Sequence, residues 1–235
     1  MSVFAIGDLH LSLGTDKPMD VFRGWENYVD RLTENWNRVV SDEDTVIIPG
    51  DISWAMKLEN TEADLRYIND CLHGDKILLK GNHDYWWATL GKMNRFLEEK
   101  GFGRIKILFN NAYRTGDICA VGTRGWINDG TDPFDAKVLA REEGRLRMSA
   151  EAGKKLGGEM IAFIHYPPLY NGEKNESILR VIREYGIKRC YYGHIHGKSG
   201  HAKAFIGEYE GTEYRMISAD YLGFMPIEIK PSDIS

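Results

Sequence analysis

Apolar residues recur along this chain with two different periods. Short runs suited to strands are "SVFAIG", "TVIIPG", "KILLK", "IKILFN", "ICAVG", "MIAFIHY" and "RCYYG". Between them lie stretches of helical period. In the first, Trp25, Tyr28, Val29, Leu32, Trp36, Val39 and Val40 recur at i, i+3, i+4 spacing and predict one helix with a face against a sheet. Further helices are predicted around Leu65, Ile68 and Leu72, over Leu90 to Lys100 (polar), over Ala136 to Leu156 (charged) and around Ile178 to Tyr185. Strand and helix alternate, which implies a parallel or mixed sheet and an α/β fold class. The C-terminal "KAFIGEYEGTEYRMISADY" reads as a hairpin turning at Glu210-Gly211-Thr212, so the second half is expected to be more antiparallel.

No Pro/Ser/Gly-rich linker, repeat or low-complexity tract divides the chain, and a single domain over residues 1–235 is expected. The 43% apolar and 28% charged fractions are those of a soluble globular protein. A net charge of −5 argues against a broad basic surface for nucleic acid or anionic membrane, but not against a small charged substrate. The N-terminus has neither the basic region of a signal peptide nor a membrane span, so the cytoplasm is the expected location. Cys71, Cys119 and Cys190 each sit in an apolar segment and are expected as buried, reduced thiols. The acidic stretch Asn128 to Asp135 lacks the ligand spacing of a calcium loop and reads as a solvated loop.

Five short polar motifs change the picture. Asp8 and His10 follow "FAIG", Asp51 follows "VIIPG", Asn82 and His83 follow "ILLKG", His165 follows "IAFI", and His194 and His196 follow "CYYG". In open α/β sheets ligands bind at the carboxyl ends of strands, so residues far apart in sequence can converge there. Five of the seven histidines fall in this set, while His73 and His201 lie in polar stretches that suggest solvation. Each motif also has an ordinary structural reading: Asp8 or Asp51 as a helix cap, His10 as a loop residue, His165 as a core imidazole. His194 and His196 resist that reading, because i, i+2 spacing in extended chain puts both rings on one side.

Two carboxylates, a carboxamide and four imidazoles, with no thiolate, suit divalent manganese, iron, zinc or cobalt. Seven donors exceed what one ion takes, so two ions sharing a carboxylate are expected. Paired metals about 3.5 to 4 Å apart are a recurring device of phosphoryl transfer. Two divalent ions and two aspartates leave positive charge for a phosphate, and a neutral Asn82 preserves it.

The ordered motifs "GDLH", "PGD", "GNHD", the lone His165 and "GHIH" resemble those of the calcineurin-like metallophosphoesterases, a likeness covering residues 7–196. That resemblance implies a four-layer αββα sandwich with two mixed central sheets. It implies a dinuclear centre: Asp8, His10, Asp51 and His196 around one ion, Asp51, Asn82, His165 and His194 around the other, the ions divalent or of mixed valence. It further implies hydrolysis of phosphate mono- or diesters by a hydroxide held on the metals. His83 would contact the phosphate and protonate the leaving oxygen, with Asp84 orienting its ring.

Departures narrow the class. The Ser/Thr protein phosphatases of this superfamily carry an arginine shortly after the second motif and a glutamate after GNH; here the segments read "GDISWAM" and "GNHDY". "DLHLS" is similar to DNA-repair nucleases and lipid-precursor pyrophosphatases, but the acidic balance disfavours the first, and the second usually has arginine where His83 stands. Small bacterial phosphohydrolases and cyclic-nucleotide phosphodiesterases are the better likeness. A non-catalytic metal-binding scaffold is the rival from another class, and a DNA nuclease a third reading. For the substrate, Trp54, Trp87 and Trp126 stand near the motifs, either as a wall that stacks a flat, nucleotide-type group or as core anchors. Arg124 reads as a phosphate clamp or as half of an ion pair.

Overall fold

The computed structural model describes residues 1–126 and 133–232. Its first sheet contains β1 (Val3–Ala5), β2 (Thr45–Pro49), β3 (Asp75–Leu79) and β4 (Ile105–Ile107), all parallel in that spatial order. The second contains β5 (Tyr113–Thr115), β6 (Ile118–Thr123), β7 (Glu159–Ile164), β10 (Arg189–Tyr192), β11 (Gly207–Tyr209) and β12 (Thr212–Met216). A small ribbon pairs β8 (Leu169–Tyr170) with β9 (Glu173–Lys174), and β13 (Ile227–Ile229) returns antiparallel to β1. The helices are α1 (Tyr28–Val39), α2 (Glu62–Asp70), α3 (Leu90–Lys100), α4 (Pro133–Leu156), α5 (Glu176–Glu184) and the short α6 (Gly197–His201).

Strand alternation builds the layers. Side chains of odd and even positions point to opposite faces of a strand. Val3 and Ala5 of β1, Ile47, Ile77 and Leu79 therefore meet Ile118, Ala120, Ile161 and Phe163 of the second sheet in one apolar seam. Phe4, Ile6, Val46, Ile48 and Leu78 turn the other way, into the faces of α1, α2 and α3. On the far side Cys119, Val121, Ala162, Ile164, Cys190 and Tyr192 pack under α4 and α5. The outcome is helices, sheet, sheet, helices: the four-layer αββα sandwich. Each fully buried aliphatic or aromatic side chain contributes roughly 1.5–3 kcal/mol. No helix among the described residues is long and apolar enough to cross a membrane.

Several expectations need correction. The second half is not mainly antiparallel: β6, β7, β10 and β12 run parallel, and only β5 and β11 are antiparallel edges. The hairpin does join β11 to β12, but β12 crosses back to lie beside β10, by a connection too short to show helical periodicity. The predicted first helix starts three residues after Trp25. Asn27 sits in the left-handed region at φ 51° and ends the helix there, leaving Trp25 buried in a turn. Cys119 and Cys190 are buried free thiols, but Cys71 is exposed where α2 ends, because only Leu72 turns inward there. Of the acidic stretch 128–135, residues 128–132 lie outside the described residues, and the last three begin α4 instead of continuing a loop. Asp135 is buried at the start of α4 and accepts from Trp126 Nε1 at 2.7 Å.

The two sheets meet at their carboxyl ends. Gly7, just past β1, bridges in parallel to Ser218, just past β12, and the His165 ring after β7 meets the Pro49 carbonyl closing β2. All five motifs leave their strands at this edge.

Candidate metal centre

The motif carboxylates are held by backbone from other motifs. Asp8 accepts from His194 N at 3.0 and 2.9 Å, and Asp51 Oδ1 accepts from His83 N at 2.8 Å. Such approach requires glycine beside them: a Cβ on Gly193 would lie 2.4 Å from Asp8 Oδ2. Gly50 needs its freedom twice, for φ 98° and because a Cβ there would sit 2.6 Å from His165 Nδ1. Asp8, His10, Asp51 and His194 themselves adopt left-handed backbone, at φ 60°, 46°, 50° and 73°. For non-glycine residues this costs on the order of 1–2 kcal/mol each, and strain of this kind gathers where function demands a geometry.

The donors fall into two groups. Ligand atoms of Asp8, His10 and His196 lie within 4.8 Å of one another, as do those of Asp51, His165 and His194. Asn82 belongs with the second: its Oδ1 is 2.6 Å from His165 Nε2 and 2.8 Å from His194 Nδ1. Asp51 Oδ2 stands between the groups, 3.6 Å from His10 Nε2 and 3.5 Å from His165 Nε2. A single carboxylate oxygen thus faces both.

The electrostatics of this donor set fit divalent cations. Burial raises the pKa of Asp8, and the charge of Asp51 raises it further; burial likewise raises Asp51. Burial lowers His165 to about 3 and His194 to about 2, and holds His10 well below its usual value, with neighbouring imidazoles adding to each. Neutral imidazoles with inward lone pairs and carboxylates short of positive charge are what a metal pair satisfies. His10 Nε2 faces His196 Nε2 at 3.1 Å, nitrogen to nitrogen, which at most one intervening proton can reconcile without a cation.

Asp220, which the sequence reading did not single out, orients one donor. Its Oδ1 accepts from His196 Nδ1 at 2.9 Å, so the other ring nitrogen turns to the site with its lone pair. Burial pulls the pKa of His196 down, but Asp220 and Asp8 outweigh it and raise it. The second oxygen of Asp220 accepts from Gly197 N at 2.9 Å and lies 3.2 Å from His201 Nε2, so His201 is half-buried rather than solvated. A signal existed: Asp220 follows the largely apolar stretch "MISA" much as the other motifs follow theirs. Asp220→Ala is expected to weaken metal binding at the first donor group about 10- to 100-fold. Titration against a chelating dye measures this, and unchanged affinity would refute it.

Asp84 is not paired with the His83 ring as the resemblance implied. Its buried carboxylate takes Ile52 N at 2.9 Å, Ser53 N at 3.2 Å and Trp86 Nε1 at 3.0 Å on one oxygen, and Gly81 N at 2.7 Å on the other. It therefore holds the "GNHD" turn against the "GDIS" turn, and bears on His83 only through the backbone. The His83 ring packs on Trp54 at 4.3 Å, and its buried Nδ1 has no hydrogen-bond partner among the described residues.

The aromatics separate. Trp54 is stacked on His10 at 5.1 Å and tilted against His83, and Lys17 Nζ lies 5.0 Å over its ring, so its faces are already in use. Trp87 packs on the buried Trp86 at 5.1 Å. Trp126 carries the Arg124 guanidinium at 4.6 Å and meets Tyr166 at 5.5 Å; Tyr166 in turn touches His194 at 4.2 Å. Tyr85, beside His83, is the ring of this group most open to solvent.

Comparisons with known proteins were made with solved structures, curated proteins and family models. A protein of unknown function from Aquifex aeolicus, AQ665, is similar at 18% identity over 97% of this chain and 95% of its own, with a TM-score of 0.48. TT1561 of Thermus thermophilus is similar at 16% identity over 83% of this chain and 82% of its own, with a TM-score of 0.54, a likeness of fold. Comparison with curated proteins gives no match. The family model for calcineurin-like phosphoesterases matches residues 1–198, most of the chain and all five motifs, and the chain belongs to that family.

Proposed function

We propose that this protein hydrolyses small phosphate esters, with one divalent ion held by Asp8, His10, Asp51 and His196 and a second by Asp51, Asn82, His165 and His194. The observation that carries the reading is the position of Asp51 Oδ2 between the two donor groups. Bound there, the ions would supply positive charge for the phosphate and lower the pKa of a water to about 7. The chain does the rest. Asp8 and Asp51 supply the negative charge that retains the ions, and their backbone partners fix where each carboxylate points. Asp220 keeps the His196 proton on Nδ1, and the Pro49 carbonyl, 3.1 Å from His165 Nδ1, does the same for His165. His83, against Trp54 at the edge of the donor groups, gives a proton to the departing alcohol.

The acidic balance supports a small phosphorylated substrate over nucleic acid or a membrane surface. Three free cysteines suit a reducing compartment, the cytoplasm. Manganese-loaded protein is expected to release p-nitrophenol from p-nitrophenyl phosphate or its bis-ester, and to stop when a chelator is added. Metal binding without turnover of any ester would favour a scaffold. Cleavage of single-stranded DNA in preference to small esters would favour a nuclease.

A further inference from the structure

Lys80, Arg124 and Arg145 line one tight cleft at the carboxyl ends of β3 and β6, together with Glu142, Thr123 and Asn110. Glu142 is fully buried and already engaged: Oε1 accepts from Arg145 Nη1 at 2.6 Å, and Oε2 from Thr123 Oγ1 at 2.6 Å. Arg124 comes only to 3.6 Å of the same Oε1, beyond hydrogen-bond distance, and its buried Nε has no hydrogen-bond partner among the described residues. Lys80 is half-buried and makes no hydrogen bond or ion pair to any described residue. One carboxylate therefore faces three cations. Arg145 pairs with it at hydrogen-bond distance, Arg124 only at 3.6 Å and Lys80 not at all, so positive charge exceeds negative in a cleft that is only partly open to water. Like charges held together in that way repel, and an anion between them relieves the repulsion.

The cleft is linked to the donor groups by two routes. Lys80 is two residues from Asn82 along the chain, and Arg124 reaches His194 through the rings of Trp126 and Tyr166. Asn110, at its floor, holds a left-handed φ of 62° with a buried, unpartnered Oδ1. About 10 Å³ is free inside, room for one water, so an anion belongs at the mouth, where Lys80 and Arg145 are partly exposed.

We infer that Lys80 and Arg124 form a second anion subsite, which takes a phosphate group of the substrate other than the one being hydrolysed. The inference rests on the phosphoesterase reading and narrows it: the substrate is a small molecule with two phosphates. Guanidinium and ammonium together suit such a group, the first by a bidentate fork and the second as a point charge.

The test compares adenosine 3′,5′-bisphosphate with adenosine 5′-monophosphate on the manganese-loaded full chain at low ionic strength. The parent protein should show kcat/KM about tenfold or more higher for the bisphosphate, mainly through KM, a scale set by charge-assisted hydrogen bonds. Lys80→Gln should bring the ratio toward one, and Lys80→Arg should restore most of it. A ratio near one in the parent, or a high ratio that survives Lys80→Gln, overturns the subsite. Calorimetric titration with inorganic phosphate separates the two readings: two phosphates per chain in the parent and one in Lys80→Gln are expected. Turnover of p-nitrophenyl phosphate with a single phosphate bound in both proteins would remove the subsite and keep the phosphoesterase. Phosphate binding that depends on Lys80, without turnover of any ester, would keep an anion site at this cleft but overturn the phosphoesterase reading and, with it, the two-phosphate substrate.

Discussion

Asp51→Asn is expected to lower phosphoesterase activity by about a thousandfold or more, because charge stabilisation by each ion is worth several kcal/mol and this carboxylate serves both. Its Oδ2 is the donor nearest to both groups, 3.6 Å from His10 Nε2 and 3.5 Å from His165 Nε2. Asparagine keeps the shape and can still accept from His83 N through Oδ1, so the turn is retained while the shared negative charge is lost. Metal content should fall from two ions toward one or none. The variant should nevertheless fold. Burial raises the Asp51 pKa above its usual value, so in the metal-free protein the ionised form costs folding free energy at neutral pH, a cost that disappears as pH falls and the group protonates. Metal-free Asp51→Asn should therefore unfold at a temperature no lower than the metal-free parent at pH 8. Retained activity in a folded variant would refute the shared role.

His83→Gln should reduce kcat about 10²- to 10⁴-fold on esters of ordinary alcohols, the range of a general acid. The loss should be much smaller on p-nitrophenyl phosphate, whose leaving group departs without a proton. That difference separates proton donation from loop damage, which would lower both alike. The pH profile supplies a second sign. Burial lowers the pKa of His83, and the charge of Asp51 offsets this only in part. An acid works only while protonated, so the limb of kcat that depends on His83 should descend with rising pH from below the ordinary histidine value, and should vanish in His83→Gln. A variant that retained the limb would assign the proton to another group.

The donor groups were legible because their chemistry sits at a fixed place in the pattern: just beyond an apolar run, at the carboxyl end of a strand. That rule needs no contact information. Seven residues from five motifs meet at one edge because the strands that carry them are parallel within each sheet and the two sheets meet at their carboxyl ends. The same rule reaches Asp220, once the last apolar run is taken as a strand of the same sheet rather than as one arm of an isolated hairpin. Strand order in the second sheet was not legible, since β12 reaches β10 through a five-residue helix and an edge strand that leave no periodic trace. Nor was β13, three residues long, which pairs with a strand more than two hundred positions away.

Side-chain partners were the least legible layer. Asp84 stands next to His83 in sequence, and adjacency suggested a pair. The turn instead points the carboxylate into four N–H groups of the scaffold. Trp54 is near the site as expected, but with His10, His83 and Lys17 on it the ring belongs to the wall that fixes the imidazoles. Arg124 lies in a cleft whose carboxylate, Glu142, comes from a helix with no motif to mark it.

In the proposed function, two ions in this one cluster drive ester hydrolysis. Phosphate release measured against bound manganese per chain tests it most directly. Negligible turnover is expected up to about one ion and a steep rise as the second is bound, with both lost in Asp51→Asn. Full activity in protein stripped of metal, or in Asp51→Asn with neither ion bound, would contradict it.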